Sequence, residues 1–221
     1  MIIDPYQWYN VTIRDISSLS KDTITLSLVR PAGYRFKAGQ YTIFRFKPQG
    51  RTIMRQYSFS SPPDSEHIEC TIQREPGGEA SEWFFRDASA GDSIEISQAF
   101  GNFVWDKHST RPILFIAGRV GIAPFMSMIR DHAGQKHQLR VLYSVYSDDQ
   151  ICFQDELAQL QTQIIVTGKN ERIDQAVIAP LISDHPIVYI CGSRRFVEGM
   201  QEHLAALSVP PSDIRRELFT L

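Results

Sequence analysis

Two short runs in this chain carry the residue types that grip a phosphate-bearing ligand with a flat ring, Arg55-Gln56-Tyr57-Ser58 and Gly77-Gly78-Glu79-Ala80-Ser81. Arg55 offers a planar fork of donors suited to phosphate oxygens. Tyr57, two residues along a strand, turns its ring to the same face as Arg55. Ser58 points the other way unless the strand ends there, and Ser58-Phe59-Ser60-Ser61-Pro62-Pro63 predicts such an end, because proline cannot continue a central strand. Gly77-Gly78 lets backbone approach a ligand closely. Ala80 or Ser81 then opens a short helix whose free N–H groups and positive dipole end favour a phosphate.

A second set of motifs follows in the C-terminal half. Ile113-Leu114-Phe115-Ile116-Ala117 is a continuous apolar run of the kind found in buried parallel strands. It leads into Gly118-Arg119-Val120-Gly121-Ile122-Ala123-Pro124, where Pro124 suits the first position of a helix continued by Phe125, Met128, Ile129 and His132. Strand, glycine turn and helix N-terminus in this order form a seat for a nucleotide pyrophosphate. Val188-Tyr189-Ile190-Cys191-Gly192-Ser193 is a further strand, with Ser193 placed to cap a helix carrying Phe196, Val197, Met200 and Leu204. Taken alone, Cys191 reads as a small buried hydrophobe.

Together these motifs resemble the ferredoxin-NADP reductase superfamily of flavoenzymes. Its flavin motif reads Arg-x-Tyr-Ser or Thr, its second motif is a Gly-Gly-x-x-Ser loop, and its nicotinamide-side motif is Ala-Gly-Gly-x-Gly-Ile-Thr or Ala-Pro. One position departs: Arg119 stands where a second glycine is usual. If that position takes a positive φ, its side chain costs roughly 1 kcal/mol or more. Arg119 could reach a nucleotide phosphate or obstruct the site. The resemblance implies flavin contacts from Arg55, Gln56, Tyr57, Ser58, Ile72, the Gly77–Ser81 loop and Phe219. It implies nicotinamide-nucleotide contacts from Gly118, Arg119, Val120, Gly121, Pro124, Ser144, Asp149, Cys191 and Gly192. Ser58, Cys191 and Glu217 are the implied catalytic groups, with Cys191 beside the nicotinamide and the Glu217-Leu218-Phe219 ending near the flavin.

The elements that must position these groups change character midway. In the first half, Ile24, Leu26 and Leu28 alternate with polar neighbours, as do Ile68, Cys70 and Ile72, and then Ile94 and Ile96. Turn signals at Pro31-Ala32-Gly33, Pro48-Gln49-Gly50 and Ala90-Gly91-Asp92 separate them, which predicts an antiparallel barrel. In the second half, apolar strands near Ile113, Val141, Ile164 and Val188 alternate with helical patterns at Phe125, Phe153-Leu157-Leu160 and Phe196, which predicts a parallel α/β sheet. The fold class is therefore β plus α/β: a barrel over residues 1–108, six-stranded and flavin-binding by the resemblance, then a nucleotide-binding domain over 109–221. The expected linker is Asp106-Lys107-His108-Ser109-Thr110.

Composition bounds the rest. Hydrophobic content of 43% with 22% charge fits a globular protein. No stretch approaches the ~20 apolar residues of a membrane span, and the first five residues lack the basic start of a secretory signal, so cytoplasm is expected. Cys70, Cys152 and Cys191 are odd in number and far apart, which argues against disulfides and excludes a four-thiolate iron-sulfur cluster. The histidines show no zinc-ligand spacing, and neither a metal nor nucleic acid is expected.

The expected activity is FAD-dependent oxidation of NAD(P)H, FMN being the less favoured flavin, with electrons passed to a separate ferredoxin or oxygenase component. Two rivals are a flavin or ferric reductase with diffusible acceptors and a non-catalytic electron-transfer or redox-sensing module. NADH is favoured over NADPH, because Ser144 leads into Val145-Tyr146-Ser147-Asp148-Asp149, where a 2′-phosphate reader would carry arginine or lysine; the bland alternative is a solvated acidic loop. Between Thr23 and Pro63 the chain carries Arg30, Arg35, Lys37, Arg45, Lys47, Arg51 and Arg55 with no acid. That tract suits an acidic acceptor protein, or its bases are merely solvated.

Overall fold

The computed structural model describes residues 5–106, 109–132 and 139–219, so Lys107 and His108 of the expected linker, and Met1–Asp4 of the leader argument, lie outside the described residues. The chain forms two compact units. One comprises residues 1–105 with Met126–Asp131, and the other comprises Asp106–Phe125 with 132–221.

The first unit is a six-stranded antiparallel sheet built from β1 (Trp8–Ser20), β2 (Thr23–Val29), β3 (Tyr41–Phe46), β4 (Ile53–Ser58), β5 (His67–Gln73) and β6 (Ser93–Ser97), in the order β4-β3-β6-β1-β2-β5. Its outer strands meet through the Phe59–Cys70 bridge and the Ser60 N–H bond to the Glu69 carbonyl, 2.8 Å, which closes the sheet into the expected barrel. Strand β1 was not legible beforehand, because its sequence is largely polar. It pairs with β6 over Trp8–Thr12 and with β2 from Ile13 onward, its register shifting at Ile13/Asp15 where it changes partner. Such an irregularity bends a strand and lets it serve two parts of a closing sheet.

Ile24, Leu26, Leu28, Ile68, Cys70 and Ile72 fill the barrel as their alternation predicts. The opposite face of β2 is buried too, at Thr23, Thr25 and Ser27. Helix α1 (Glu79–Arg86) packs through Phe84, whose ring lies 5.9 Å from Phe44, 4.9 Å from Phe46 and 5.9 Å from Tyr57. Burying such a ring contributes roughly 1.5 to 3 kcal/mol, and it ties the loop leading into α1 to β4.

The second unit holds five parallel strands, β7 (Ile113–Gly118), β8 (Leu139–Val145), β9 (Gln161–Val166), β10 (Ile187–Ser193) and β11 (Ile214–Phe219), in the order β11-β10-β7-β8-β9. The chain runs outward from β7 to β9 and then returns to the other side of β7. The order therefore reverses between β7 and β10, and open parallel sheets bind ligands outside the strand ends at such a point. The unit's helices are α3 (Gln154–Leu157), α4 (Gln175–Ile178) and α5 (Arg194–Ala206), while α2 (Ala123–Asp131) belongs to the first unit from Met126 onward.

Two expectations need correction. Pro124 is the second residue of α2, because winding already starts in a 3-10 turn over Arg119–Ile122; an N–H is dispensable there as well. The helix expected over Phe153-Leu157-Leu160 is the single turn of α3, entered by Phe153 at φ 56° and ended where the Thr162 hydroxyl donates to the Leu157 carbonyl. The Glu217 ending, whose secondary structure the sequence left open, belongs to the edge strand β11. At the opposite end of the sheet Arg111 donates to both carboxylate oxygens of Asp213 at 2.8 Å and to the His185 carbonyl, a clamp that serves stability. No helix among the described residues is long and apolar enough to cross a membrane.

Candidate functional site

In the first unit β4 ends at Ser58, as the following serines and prolines predict. Arg55 is exposed, and its only partner among the described residues is the neighbouring Met54 carbonyl, 2.9 Å away. The arginines around it differ. Arg45 pairs with Glu95 at 2.6 Å, Arg51 with Glu79 at 3.6 Å and Arg74 with Glu82 at 2.9 Å. Arg55 is thus an exposed cation with no carboxylate partner among the described residues. Tyr57 is half-buried, its ring 4.8 Å from that of Phe44, and burial pushes its phenol well above the usual range despite the nearby Arg55 charge. The ring is therefore neutral and fixed, as a stacking face must be. Ser58 is buried on β4, opposite Tyr41. Gln56 is exposed between them.

The glycine loop has a separate reason for each residue. Gly77 sits at φ 76°, which glycine tolerates without strain. Gly78 has an ordinary φ, but a Cβ there would lie 3.0 Å from Glu75 and from the Ser81 hydroxyl. Ser81 accepts from the Glu75 N–H at 2.9 Å, so its hydroxyl is used to hold this loop. No side chain among the described residues caps α1, which starts at Glu79, one residue earlier than expected, so its leading amides can face an anion. The first-turn acids do not oppose that, since Glu79 is paired with Arg51 and Glu82 with Arg74 and Arg86. Ala80 is buried beneath. This combination of exposed cation, fixed ring, helix end without a side-chain cap and tight loop fits a flavin nucleotide. Ile72 differs: it is 1% exposed inside the barrel, so its side chain serves packing and only its backbone could meet a ligand.

In the second unit the named residues converge on the sheet edge at the switch point. Gly118 closes β7 beside Ser144 on β8, and Cys191 on β10 lies between Ala117 of β7 and Glu217 of β11. The glycines are required by space. A Cβ on Gly121 would fall 2.3 Å from the Cys191 carbonyl oxygen, and one on Gly118 or Gly192 would fall 2.9 or 2.8 Å from the Phe196 ring. Phe196 therefore packs across both turns, a role that its apolar spacing alone did not disclose. Ser193 caps α5 as expected, accepting from the Phe196 N–H at 3.4 Å. Val120 is half-buried within the 3-10 turn, and Pro124 is buried at the start of α2.

Arg119 does take the backbone conformation of the glycine it replaces, with φ 52°. A left-handed non-glycine residue costs roughly 1 to 2 kcal/mol, against which glycine would lose roughly 0.5 to 1 kcal/mol through the freer unfolded chain. Arg119→Gly should therefore raise the melting temperature by about 1 to 4 °C. A calorimetric scan with an unchanged or lower midpoint would contradict the strain.

Cys191 is fully buried, and burial together with the Glu217 charge pushes its thiol well above the usual range. It is a neutral thiol with no open face, suited to shaping the floor of a site and unsuited to act as a nucleophile. Glu217 and Phe219 are half-buried on β11, opposite Cys191 and Ser193. At the end of β8, Asp149 accepts from the Ser147 hydroxyl, while Asp148 is paired with Lys169 at 2.7 Å. Lys169 was missed in the sequence because it arrives from beyond β9. The two acids therefore have different surroundings, Asp149 beside the Ser147 hydroxyl and Asp148 against the Lys169 ammonium.

Comparison with known proteins adds names to this geometry. Residues 10–105 match the oxidoreductase FAD-binding domain, and residues 115–202 match the oxidoreductase NAD-binding domain. The NADH oxidoreductase HCR of Escherichia coli is 29% identical over 91% of this chain, and the 2-halobenzoate 1,2-dioxygenase electron transfer component of Burkholderia cepacia is 29% identical over 93%. The chain spans 65% of the length of each of these relatives. The flavohem-like FAD/NAD-binding domain of nitric oxide dioxygenase from Vibrio cholerae superposes with a TM-score of 0.84 at 24% identity, covering 95% of this chain and 98% of that one. That likeness carries the fold.

Proposed function

The chain belongs to the ferredoxin-NADP reductase-like superfamily of oxidoreductases, whose FAD-binding and NAD-binding domains follow one another along it, and from that premise we propose that it oxidises NAD(P)H through FAD and passes the electrons to a separate acceptor protein. The observation that carries this reading is Arg55, an exposed arginine without an acid partner among the described residues, beside a fixed tyrosine ring and a helix end without a side-chain cap. Arg55 and the α1 amides bind the cofactor phosphates, Tyr57 packs on the ring, and Ser58 donates near its reactive edge. FAD, when bound, accepts two electrons together and releases them singly. Residues 1–108 form the flavin domain and 109–221 the nucleotide domain. There the turn over Arg119–Ile122 takes the pyrophosphate, the Arg119 guanidinium reaches toward it, and Cys191, Gly192 and Glu217 line the place of the nicotinamide. Asp149 binds a ribose hydroxyl, and Asp148 holds Lys169 away from a 2′-phosphate, so the ratio of kcat/KM favours NADH.

The acceptor is a ferredoxin or an oxygenase component, by likeness to relatives named as electron transfer components, and it is acidic. Of the basic tract, Arg45 and Arg51 are paired and Arg30 is bound to carbonyls of Tyr34 and Ser65. Arg35, Lys37 and Lys47 are exposed and make no ion pair among the described residues. Those three steer the acceptor, which raises encounter rates by roughly ten- to a thousand-fold at low salt. Reversing Lys37 and Lys47 to glutamate should slow reduction of an acidic ferredoxin about tenfold at low salt and leave NADH-driven flavin bleaching unchanged. Equal acceptor rates in the variant, with no salt dependence, would move the docking face elsewhere.

A further inference from the structure

The segment after β4 is held in an unusual way. Pro62 and Pro63 follow it and have no N–H to anchor it, and the carbonyls just before them are gripped by side chains of α2. The Ser127 hydroxyl, fully buried, donates to the Ser61 carbonyl at 2.6 Å, and Arg130 donates to the Ser60 carbonyl at 2.8 Å. Arg130 also pairs with Glu69 at 2.9 Å. The backbone of Glu69 completes the ring: its N–H donates to the Ser61 hydroxyl at 2.9 Å, and its carbonyl accepts from the Ser60 N–H at 2.8 Å. Ser60 and Ser61 are thereby fixed on both sides, two and three residues beyond Ser58.

We propose that Arg130 and Ser127 are positioning residues for the flavin reaction. By immobilising Ser60 and Ser61 they set where the end of β4 presents Ser58 to the flavin's reactive edge. This role for Arg130 and Ser127 rests on the function proposed above. A clamp of this kind is more than the fold needs at that point, because the barrel is already closed there by the Phe59–Cys70 bridge and the Ser60–Glu69 bond. What it adds is precision: a charged group binding a carbonyl makes a short, directional bond, and a displacement of about 1 Å at a reacting centre costs large factors in rate.

The test compares flavin-loaded wild type with Ser127→Ala, Arg130→Met and Arg130→Lys in anaerobic stopped flow with NADH. Ser127→Ala and Arg130→Met should retain flavin, change its visible circular dichroism, and slow its reduction about tenfold, while the NADH concentration giving half the maximal rate moves much less. Arg130→Lys, which can still donate to Ser60 or Glu69, should recover part of the rate. A purely structural role would lower the melting temperature of both variants without touching the flavin spectrum or the limiting rate, and that result overturns the proposal. Should Arg130→Met fail to fold, Ser127→Ala decides alone, its reduction at the wild-type rate counting against the proposal. Wild-type protein that binds no flavin would instead overturn the functional reading beneath it.

Discussion

Arg55→Ala should purify pale, with flavin affinity lowered by about one to two powers of ten. The magnitude follows from one hydrogen bond to a charged group, roughly 1.5 to 3 kcal/mol, at about 1.4 kcal/mol per tenfold in affinity. The change is clean because Arg55 is exposed and, among the described residues, bonded only to the Met54 carbonyl; a surface substitution of this kind alters stability by about 0.5 kcal/mol or less. Flavin loss therefore cannot be attributed to unfolding. Arg51→Ala is the natural contrast, since Arg51 already has Glu79 as a partner. It should lose less flavin than Arg55→Ala, and titration of the two apoproteins with FAD gives the comparison. Equal affinity of Arg55→Ala and wild type would reject the phosphate assignment.

Gly121→Ala should leave flavin binding intact and abolish most NADH-driven reduction. The added methyl would lie 2.3 Å from the Cys191 carbonyl oxygen and 2.6 Å from its carbon, both backbone atoms that no rotamer change can clear. The turn must move, at a cost of roughly 1 to 3 kcal/mol. A displacement of about 1 Å in a nucleotide seat is expected to lower the reduction rate about a hundredfold. Stopped-flow reduction over a range of NADH concentrations measures this, with FAD content as the internal control. A reduction rate within about threefold of wild type would show that the nucleotide does not use this turn.

Where chemistry and backbone demand are local, the sequence was legible. Arg55, Tyr57, the Gly77-Gly78 pair, the Gly118–Pro124 turn and the Ser193 cap all carry their reasons within a few residues: a cation, a ring, a positive φ, a missing Cβ, a capping hydroxyl. The alternating strands β2, β5 and β6 were legible for the same reason. What escaped reading depends on partners distant in the chain. Strand β1 is mostly polar and is a strand because β6 and β2 pair with it along different halves. Strand β11 is recruited by β10. Helix α3 is cut short by Thr162 and the onset of β9, although its apolar spacing continues to Leu160. Lys169 meets Asp148, and Arg130 meets Ser60 and Glu69, only once the chain has folded. The basic tract read as a block is broken up by Glu79 and Glu95, acids placed far along the chain.

Anaerobic titration of the purified, flavin-loaded protein with NADH, followed in the visible flavin bands, tests the central claim most directly. The account predicts stoichiometric bleaching by NADH and recovery of the oxidised spectrum when an oxidised acidic ferredoxin is added. Stoichiometrically bound flavin that NADH fails to bleach would contradict it.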